Sequence, residues 1–504
     1  MTQPKPYVTT AIPYANGAPH IGHVLDYLIA DVWTRRQIMM GNSPRFSAGL
    51  DEHGSKVEQK AADIGQTPQQ FVDDLVPKFQ ELLKKLNAAT TDYVRTTDPD
   101  HQRRVQEIWR KLAAKTVGGQ SLIYKSTYDG WYCVGCEKFV TDSEARALNF
   151  ICPDHQKPLE KLSEENYYLR VSVFTEEIRR FARERIVPSW RGKEILQLIK
   201  NGAQDVSISR PASKLKWGVP VPDDPDQVMY VWIDALSNYL TALGYPDKNW
   251  ASDYWPAGLE VVGKDILRFH AIIWPAMLLG LDLPLPEKLL AHGFVNIGGA
   301  KMSKSVGNVI DPLQIIDDYG ADALRYYFLR HVPTFDDGDF TFEKFEAAYN
   351  GELANDLGNL VSRVANMVKK YQGGEIQIAA GKPFPPIAPN LPESDNWSKD
   401  YDAAMDEFRY DAALETVWKL VQACNRYIDE AKPWQVAKEN PSETAKILNR
   451  LVGELQGLSL KLKPFLPETS DKIRRIFWTD KIPDDVPILF PKKFLHSENP
   501  TAKK

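Results

Sequence analysis

Two stretches far apart in this sequence carry the same alternation of a short apolar strand pattern with a longer helical one, and that repetition limits the fold more than any other feature. Residues 6–12 read as a strand, a loop with Gly and Pro follows, and a helical pattern runs from about His20 to Met40. Residues 43–49 read as a second strand ending at Asp51-Glu52-His53-Gly54. The pattern returns with residues 228–233 as a strand before a helix, and again at 259–263. Strands alternating with helices build a parallel, doubly wound sheet whose ligands bind at the carboxyl ends of its strands. Between the halves, 116–226 holds three of the 4 cysteines and many turn residues, and reads as an insertion dividing an α/β domain into 1–115 and 227–296. Residues 297–341 connect onward. Beyond them the strand signal fades: 342–371, 398–430 and 443–465 are long helical patterns, with the Gly- and Pro-rich 373–392 as a loop, and they predict an all-α bundle over 342–504.

Bulk properties narrow the function classes. With 504 residues the chain exceeds one compact core, and 43% hydrophobic with 26% charged residues is an ordinary globular mixture. A net charge of −5 excludes a generally basic nucleic-acid binder, so any RNA contact must use local basic patches. The N-terminus lacks a signal-peptide pattern, and the most apolar stretch, 271–286, contains prolines and is too short to span a bilayer. So few cysteines make no disulfide framework. A soluble cytoplasmic protein with no membrane partner is expected.

Three groups of residues carry chemistry. Pro19-His20-Ile21-Gly22-His23 stands between a strand and a helix. Read blandly, it is a solvated loop with incidental histidines. Read chemically, the helix N-terminus offers N–H groups and a positive dipole end to phosphate, the imidazoles of His20 and His23 donate to phosphoryl oxygens, and Gly22 lets a nucleotide approach the backbone. Lys301-Met302-Ser303-Lys304-Ser305, with Gly298, Gly299 and Gly307 around it, reads as a glycine-flanked loop. Its two ammonium groups suit a departing polyphosphate, although a lone pair of lysines is usually solvated surface. Cys133-x-x-Cys136 is followed after fifteen residues by Cys152-x-x-His155. Four N/S ligands on two tight turns are what a closed, structural zinc site needs, whereas Cys424, alone in a helical pattern, reads as core.

The two phosphate motifs, in this order in one α/β domain, resemble the HIGH and KMSKS signatures of the class I aminoacyl-tRNA synthetases. The likeness runs over nearly the whole chain. Ala11-Ile12-Pro13-Tyr14-Ala15-Asn16-Gly17 and Asp51-Glu52-His53-Gly54 make it similar to the methionine-specific members. The insertion is too short for the large editing domain of the isoleucine, leucine and valine members. The resemblance implies a Rossmann-like catalytic domain split by a zinc-binding connective insertion, followed by an α-helical anticodon-binding bundle. It implies ligation of L-methionine to tRNA(Met), initiator and elongator, by way of methionyl-adenylate, with Mg²⁺ accompanying ATP and one structural Zn²⁺ per chain. The rival readings are a small-molecule nucleotidyltransferase sharing the HIGH loop, or an inactive tRNA-binding relative. By resemblance, Lys301 and Lys304 meet the pyrophosphate and Gly263 and Asp265 the ATP. Ala11, Ile12, Tyr14, Trp232, Ala235, Leu236, Tyr239, Ile266 and His270 would line the methionine site, with Asp51 holding the ammonium. From the sequence alone each apolar member of that set is core. Leu236 stands where many relatives have proline. An aromatic and aliphatic pocket suits a polarizable thioether but separates close analogues weakly, so homocysteine is a foreseeable wrong substrate. Asn359 and Arg363 share a helix face, and Pro433-Trp434 follows another helix; by resemblance all four read the CAU anticodon, while composition alone makes them a surface pair and a packed tryptophan. With no appended C-terminal β domain in view, a monomer is expected.

Overall fold

The computed structural model describes residues 4–133, 138–153, 156–301, 310–376 and 397–494. Lys304, Cys136, His155 and most of the 373–392 loop lie outside the described residues. The chain forms two compact units, each discontinuous in sequence: residues 1–18, 44–77 and 91–291 make one, and 19–43, 78–90 and 292–504 the other.

The first unit is built on a six-stranded sheet. In chain order its strands are β1 (Tyr7–Thr10), β2 (Arg45–Leu50), β3 (Asp92–Arg95), β4 (Ile186–Val187), β5 (Leu259–Gly263) and β6 (Leu289–His292). They lie side by side as β3-β2-β1-β5-β6-β4. β1 runs parallel to both β2 and β5, β2 to β3, and β6 to β4. The strands are rich in β-branched and apolar residues, and β1, β5 and β6 are buried along their length. Such near-continuous burial belongs to a parallel sheet covered on both faces. The order grows outward from β1 in one direction and from β5 in the other, which creates a topological switch point between them. One core runs from Tyr7 through Ile108 and Trp109 to Leu236, Tyr239, Trp274 and Met277; a second gathers Val262, Leu289 and Ala291 with Phe181, Ile186 and Ile195.

Residues 123–133, 138–140, 160–169 and 206–207 form a separate four-stranded antiparallel sheet. The expected insertion does not stand wholly apart, since β4 comes from it and completes the edge of the main sheet. The expected strand 228–233 is also different. Only Gln227–Met229 is extended, and it pairs antiparallel with Ser209–Pro211 outside the parallel sheet. Val231–Thr241 is a helix, buried on nearly every side, and an apolar run without a polar face hides its helical period.

In the second unit, the helix Val24–Met39 follows the HIGH turn. Its Asp31 forms a wholly buried ion pair with Arg325 at 2.6 Å. The guanidinium also donates to the carbonyls of Leu86, Pro464 and Phe465. A charge removed from water needs such complete pairing. Val295–Ile297, Ala300–Lys301 and Gly338–Phe340 form a three-stranded sheet. Lys301 therefore lies in a hairpin strand, not in an open loop; Gly298 and Gly299 turn the hairpin at φ of 58° and 81°, where only glycine is unstrained. Helices dominate the rest. The pattern at 342–371 is helical throughout but widens to a π-helix over Tyr349–Gly358. The single helix expected at 398–430 is two, Trp397–Asp406 and Tyr410–Ala431, broken where Phe408 takes φ of 58°. Cys424 is buried in the second of these, and burial pushes its thiol pKa far up, as a core thiol requires.

Candidate active site

At the switch point, the ends of β1 and β5 bring Ala11 and Ile12 to the side of Gly263, with the Ala11 amide donating to the Val261 carbonyl at 2.9 Å. The chain then pairs Tyr14 with Asp51 as an isolated parallel bridge, the Ala15 amide donating to the Asp51 carbonyl at 2.8 Å and the Asp51 amide to that of Pro13 at 2.9 Å. Asp51 is buried at this junction. Each of its motif neighbours has a fixed task. Glu52 lies in the fork of Arg95, at 2.8 Å from Nε, and accepts from Thr97. His53 Nδ1 meets the Asp234 carboxylate at 2.7 Å. Gly54 sits at φ of 114°, where other residues are strained, and a Cβ there would lie 2.3 Å from the Tyr14 hydroxyl and force that ring to shift.

The aromatic residues expected around methionine are together. Trp232 stacks on Phe269 with ring centroids 3.8 Å apart and planes 12° from parallel, and meets His270 edge-on. His270 lies on a π-helical turn, Phe269–Ile273. Its Nδ1–H donates to the Ile266 carbonyl at 3.1 Å, which leaves Nε2 to accept from the Tyr239 hydroxyl at 2.7 Å. That arrangement requires a neutral ring, and burial brings the imidazole down to about 4. Tyr239 and Leu236 are embedded in the core of this unit, Ala235 is buried beside them, and Trp232 and Ile266 are half-buried. Asp265 is exposed. Below, Trp274 packs edge-on against Tyr239 and donates to Glu260 at 3.0 Å; burial raises that carboxyl to about 8, so it is protonated at neutral pH. A cleft of about 320 Å³ opens beside Gly54 and Ser55, with Tyr132, Arg210, Lys214 and Tyr230 in its wall.

In the second unit, His20 caps a single turn of 3₁₀ helix, Ile21–His23. The Gly22 amide donates to His20 Nδ1 at 3.2 Å, and the His20 amide to His23 Nδ1 at 3.1 Å. Both Nδ1 atoms are acceptors, so the proton of each neutral ring is on Nε2. The rings stack with centroids 3.8 Å apart. The Ile21 amide donates to the carbonyl of Ile310, the first described residue after the KMSKS segment, at 3.0 Å. His292 Nε2 meets Asp26 at 2.8 Å, tying the same helix to the approach to the hairpin. Ile310 and the hairpin strand that ends at Lys301 thus belong to the same unit as the HIGH turn.

Cys133 and Cys152 share one buried cluster with Val140, Ala145 and Leu159. Cys133 pairs with Lys138 across two antiparallel strands, and the Cys152 carbonyl accepts from the Gln156 amide at 2.8 Å. Two buried thiols in one cluster are suitable soft metal ligands; among the described residues alone, no cluster of three or more metal-ligating side chains occurs. On the helical unit, Asn359 is exposed and Arg363, half-buried, pairs with Asp429 at 2.7 Å. After Lys432, which turns the chain at φ of 44°, Pro433 is buried at a helix start while Trp434 is 38% exposed. A core role for Trp434 is therefore excluded.

Reasoning from sequence missed His53, His101 and Asp234, which form one buried cluster, and the Glu52–Arg95 pair. An acid inside the apolar run 228–240 was a signal for Asp234; His101 offered none.

Residues 6–161 and 154–365 match the family model described as tRNA synthetases class I (M), and 392–489 match that of the anticodon binding domain of methionyl tRNA ligase. The methionine–tRNA ligase of Caldanaerobacter subterraneus subsp. tengcongensis is 40% identical over 93% of this chain and 73% of its own length. That of Thermotoga maritima is 38% identical over 95% and 76%. The Mycobacterium tuberculosis methionyl-tRNA synthetase in complex with methionyl-adenylate superposes with a TM-score of 0.87 at 34% identity, covering 97% of this chain and 100% of that one. No helix among the described residues is long and apolar enough to cross a membrane.

Proposed function

The chain belongs to the methionyl-tRNA synthetases of class I, and from that membership we propose that it joins L-methionine to the 3′ end of tRNA(Met) in two steps. The methionine carboxylate attacks the α-phosphate of ATP, forming methionyl-adenylate and releasing pyrophosphate. The 3′-terminal ribose hydroxyl then attacks the adenylate carbonyl and AMP leaves. Such chemistry is mainly positioning and charge stabilisation.

The observation that carries this reading is the 3.0 Å hydrogen bond from Ile21 to Ile310, which joins the HIGH turn to the first described residue beyond the KMSKS segment. His20 and His23 present Nε2–H donors to the phosphates and Gly22 leaves the backbone open to them. Lys301 and Lys304 neutralise pyrophosphate, and Gly263 and Asp265 meet the nucleotide, which carries Mg²⁺. Asp51 binds the ammonium of methionine, while Ala11, Ile12, Tyr14, Trp232, Ala235, Leu236, Tyr239, Ile266 and His270 enclose its side chain. The neutral Tyr239–His270 pair offers a polar edge to the thioether without a charge.

Cys133, Cys136, Cys152 and His155 hold one zinc. With all four ligands supplied by protein it stabilises the insertion and takes no part in the reaction. Asn359, Arg363, Pro433 and Trp434 read the anticodon. The same reading divides the chain into catalytic halves 1–115 and 227–296, an insertion 116–226, a connecting region 297–341 and an anticodon domain 342–504, acting as a cytoplasmic monomer on initiator and elongator tRNA.

Methionine-dependent exchange of pyrophosphate into ATP tests the reading. Exchange is expected with methionine, and Lys304→Ala is expected to lower its rate on the order of 10²-fold while methionine affinity persists, because that lysine meets charge that grows only in the transition state. Absence of exchange with the parent protein refutes the activity.

A further inference from the structure

The DEHG loop and the Trp232 helix come from distant parts of the sequence, yet one carboxylate joins them. Asp234 is 1% exposed and lies between two imidazoles that are each 3% exposed. Its Oδ2 is 2.7 Å from His53 Nδ1 and its Oδ1 is 2.8 Å from His101 Nε2. His101, in the first turn of the helix Pro99–Ala114, also reaches Thr241 Oγ1 at 2.7 Å, so it grips the Trp232 helix at Asp234 and again at its last residue. Trp217 packs edge-on against His53 and donates to the Glu52 carbonyl at 2.6 Å, closing the loop from behind.

We infer that Asp234 is a positioning residue for amino-acid recognition, fixing Asp51 against the pocket helix by clamping His53 and His101. The inference rests on the methionine-pocket reading given above. His53 stands two positions after Asp51, and Asp234 stands between Trp232 and Ala235, so displacement at the clamp passes directly to both walls of the pocket. A buried carboxylate with donors on both oxygens has one low-energy arrangement, because releasing either donor leaves a desolvated charge half satisfied. Burial alone would raise this carboxyl, but the two imidazoles bring it down to about 2, so it is ionised throughout the working range of pH.

Asp234→Asn keeps the shape but turns one acceptor into a donor facing an imidazole N–H. Methionine affinity, followed by equilibrium dialysis, is expected to weaken roughly tenfold or more, with the KM for ATP in exchange changing by less than about threefold, since the phosphate motifs belong to the other unit. His53→Leu is expected to do the same. His53→Asn, whose amide nitrogen takes the place of Nδ1–H, is expected to recover most of the affinity lost in His53→Leu, which a role in packing alone does not predict. If Asp234→Asn does not fold, the His53 pair decides. Methionine affinity within twofold of the parent in folded His53→Leu, equal losses for methionine and ATP, or failure of His53→Asn to recover more than His53→Leu each overturn the clamp. Asp51→Asn separates this from the underlying reading: if that variant keeps full methionine affinity, the pocket itself is misassigned.

Discussion

Around Asp51 the polar side chains are engaged with protein, Glu52 with Arg95 and His53 with Asp234, and the ring of His270 is held from both nitrogens. On the helices that carry Asn359, Arg363 and Trp434, the corresponding groups face solvent, with the Arg363–Asp429 ion pair at the surface. Buried polar groups cost free energy unless each is satisfied, so the first region is set before a substrate arrives. The second leaves Trp434 38% exposed, and under the proposed function an anticodon base would stack on it. Damage to the buried region should reach stability and chemistry together, and damage to the exposed face should reach only the RNA.

The largest expected effect lies in the buried region. Glu260 has its carboxyl raised by burial to about 8, against an ordinary 4.5. Between those values the folded chain keeps a proton that the unfolded chain has lost. The stability this contributes is complete below about pH 4.5 and is lost as pH rises through about 8. Glu260→Gln still accepts from Trp274 and cannot ionise. Its unfolding free energy relative to the parent should climb by about 3 kcal/mol between pH 5 and pH 8. Urea titrations at several pH values measure it, and parallel pH curves for the two proteins would contradict a neutral buried carboxyl.

Trp434→Ala should remove a stacking contact worth roughly 1–3 kcal/mol. Charging efficiency is expected to fall about tenfold to a hundredfold, while methionine-dependent exchange and melting temperature hold. A parallel fall of exchange and charging would erase the contrast between the regions. The smallest effect belongs to Asp429→Ala, which breaks the surface pair with Arg363 and should change unfolding free energy by about 1 kcal/mol or less. A larger loss would mean that this face, too, is built from interlocked groups.

Much of the sheet was legible because β1 and β5 are short β-branched runs bounded by loop residues. A helix was expected after residue 233, but its first turn, 231–233, was read as strand because burial on nearly every side erased its polar face. β4 has only two residues, Ile186 and Val187, too few for a pattern. The break at Phe408 was hidden because phenylalanine rarely adopts a left-handed conformation. Individual pocket residues could not be told from core by composition, and Asn359, Arg363 and Trp434 have no periodic signature; both sets rested on resemblance. The Asp234 cluster is a product of topology, since nothing in sequence links residues 53, 101 and 234.

The Arg325–Asp31 pair bears on how the chain is born. Asp31 emerges early from the ribosome, and its guanidinium partner, together with the carbonyls of Pro464 and Phe465 that hold it, is synthesised much later. Domains generally fold as units during synthesis, N-terminal first, but the unit containing the HIGH helix draws its larger part from residues 292–504. Until then the Asp31 carboxylate has Arg35, one turn along its own helix at 2.8 Å, but not the buried guanidinium of Arg325. A chain released before Pro464 and Phe465 are made would have its six sheet strands in hand, but its Arg325–Asp31 pair would lack the carbonyls that complete it.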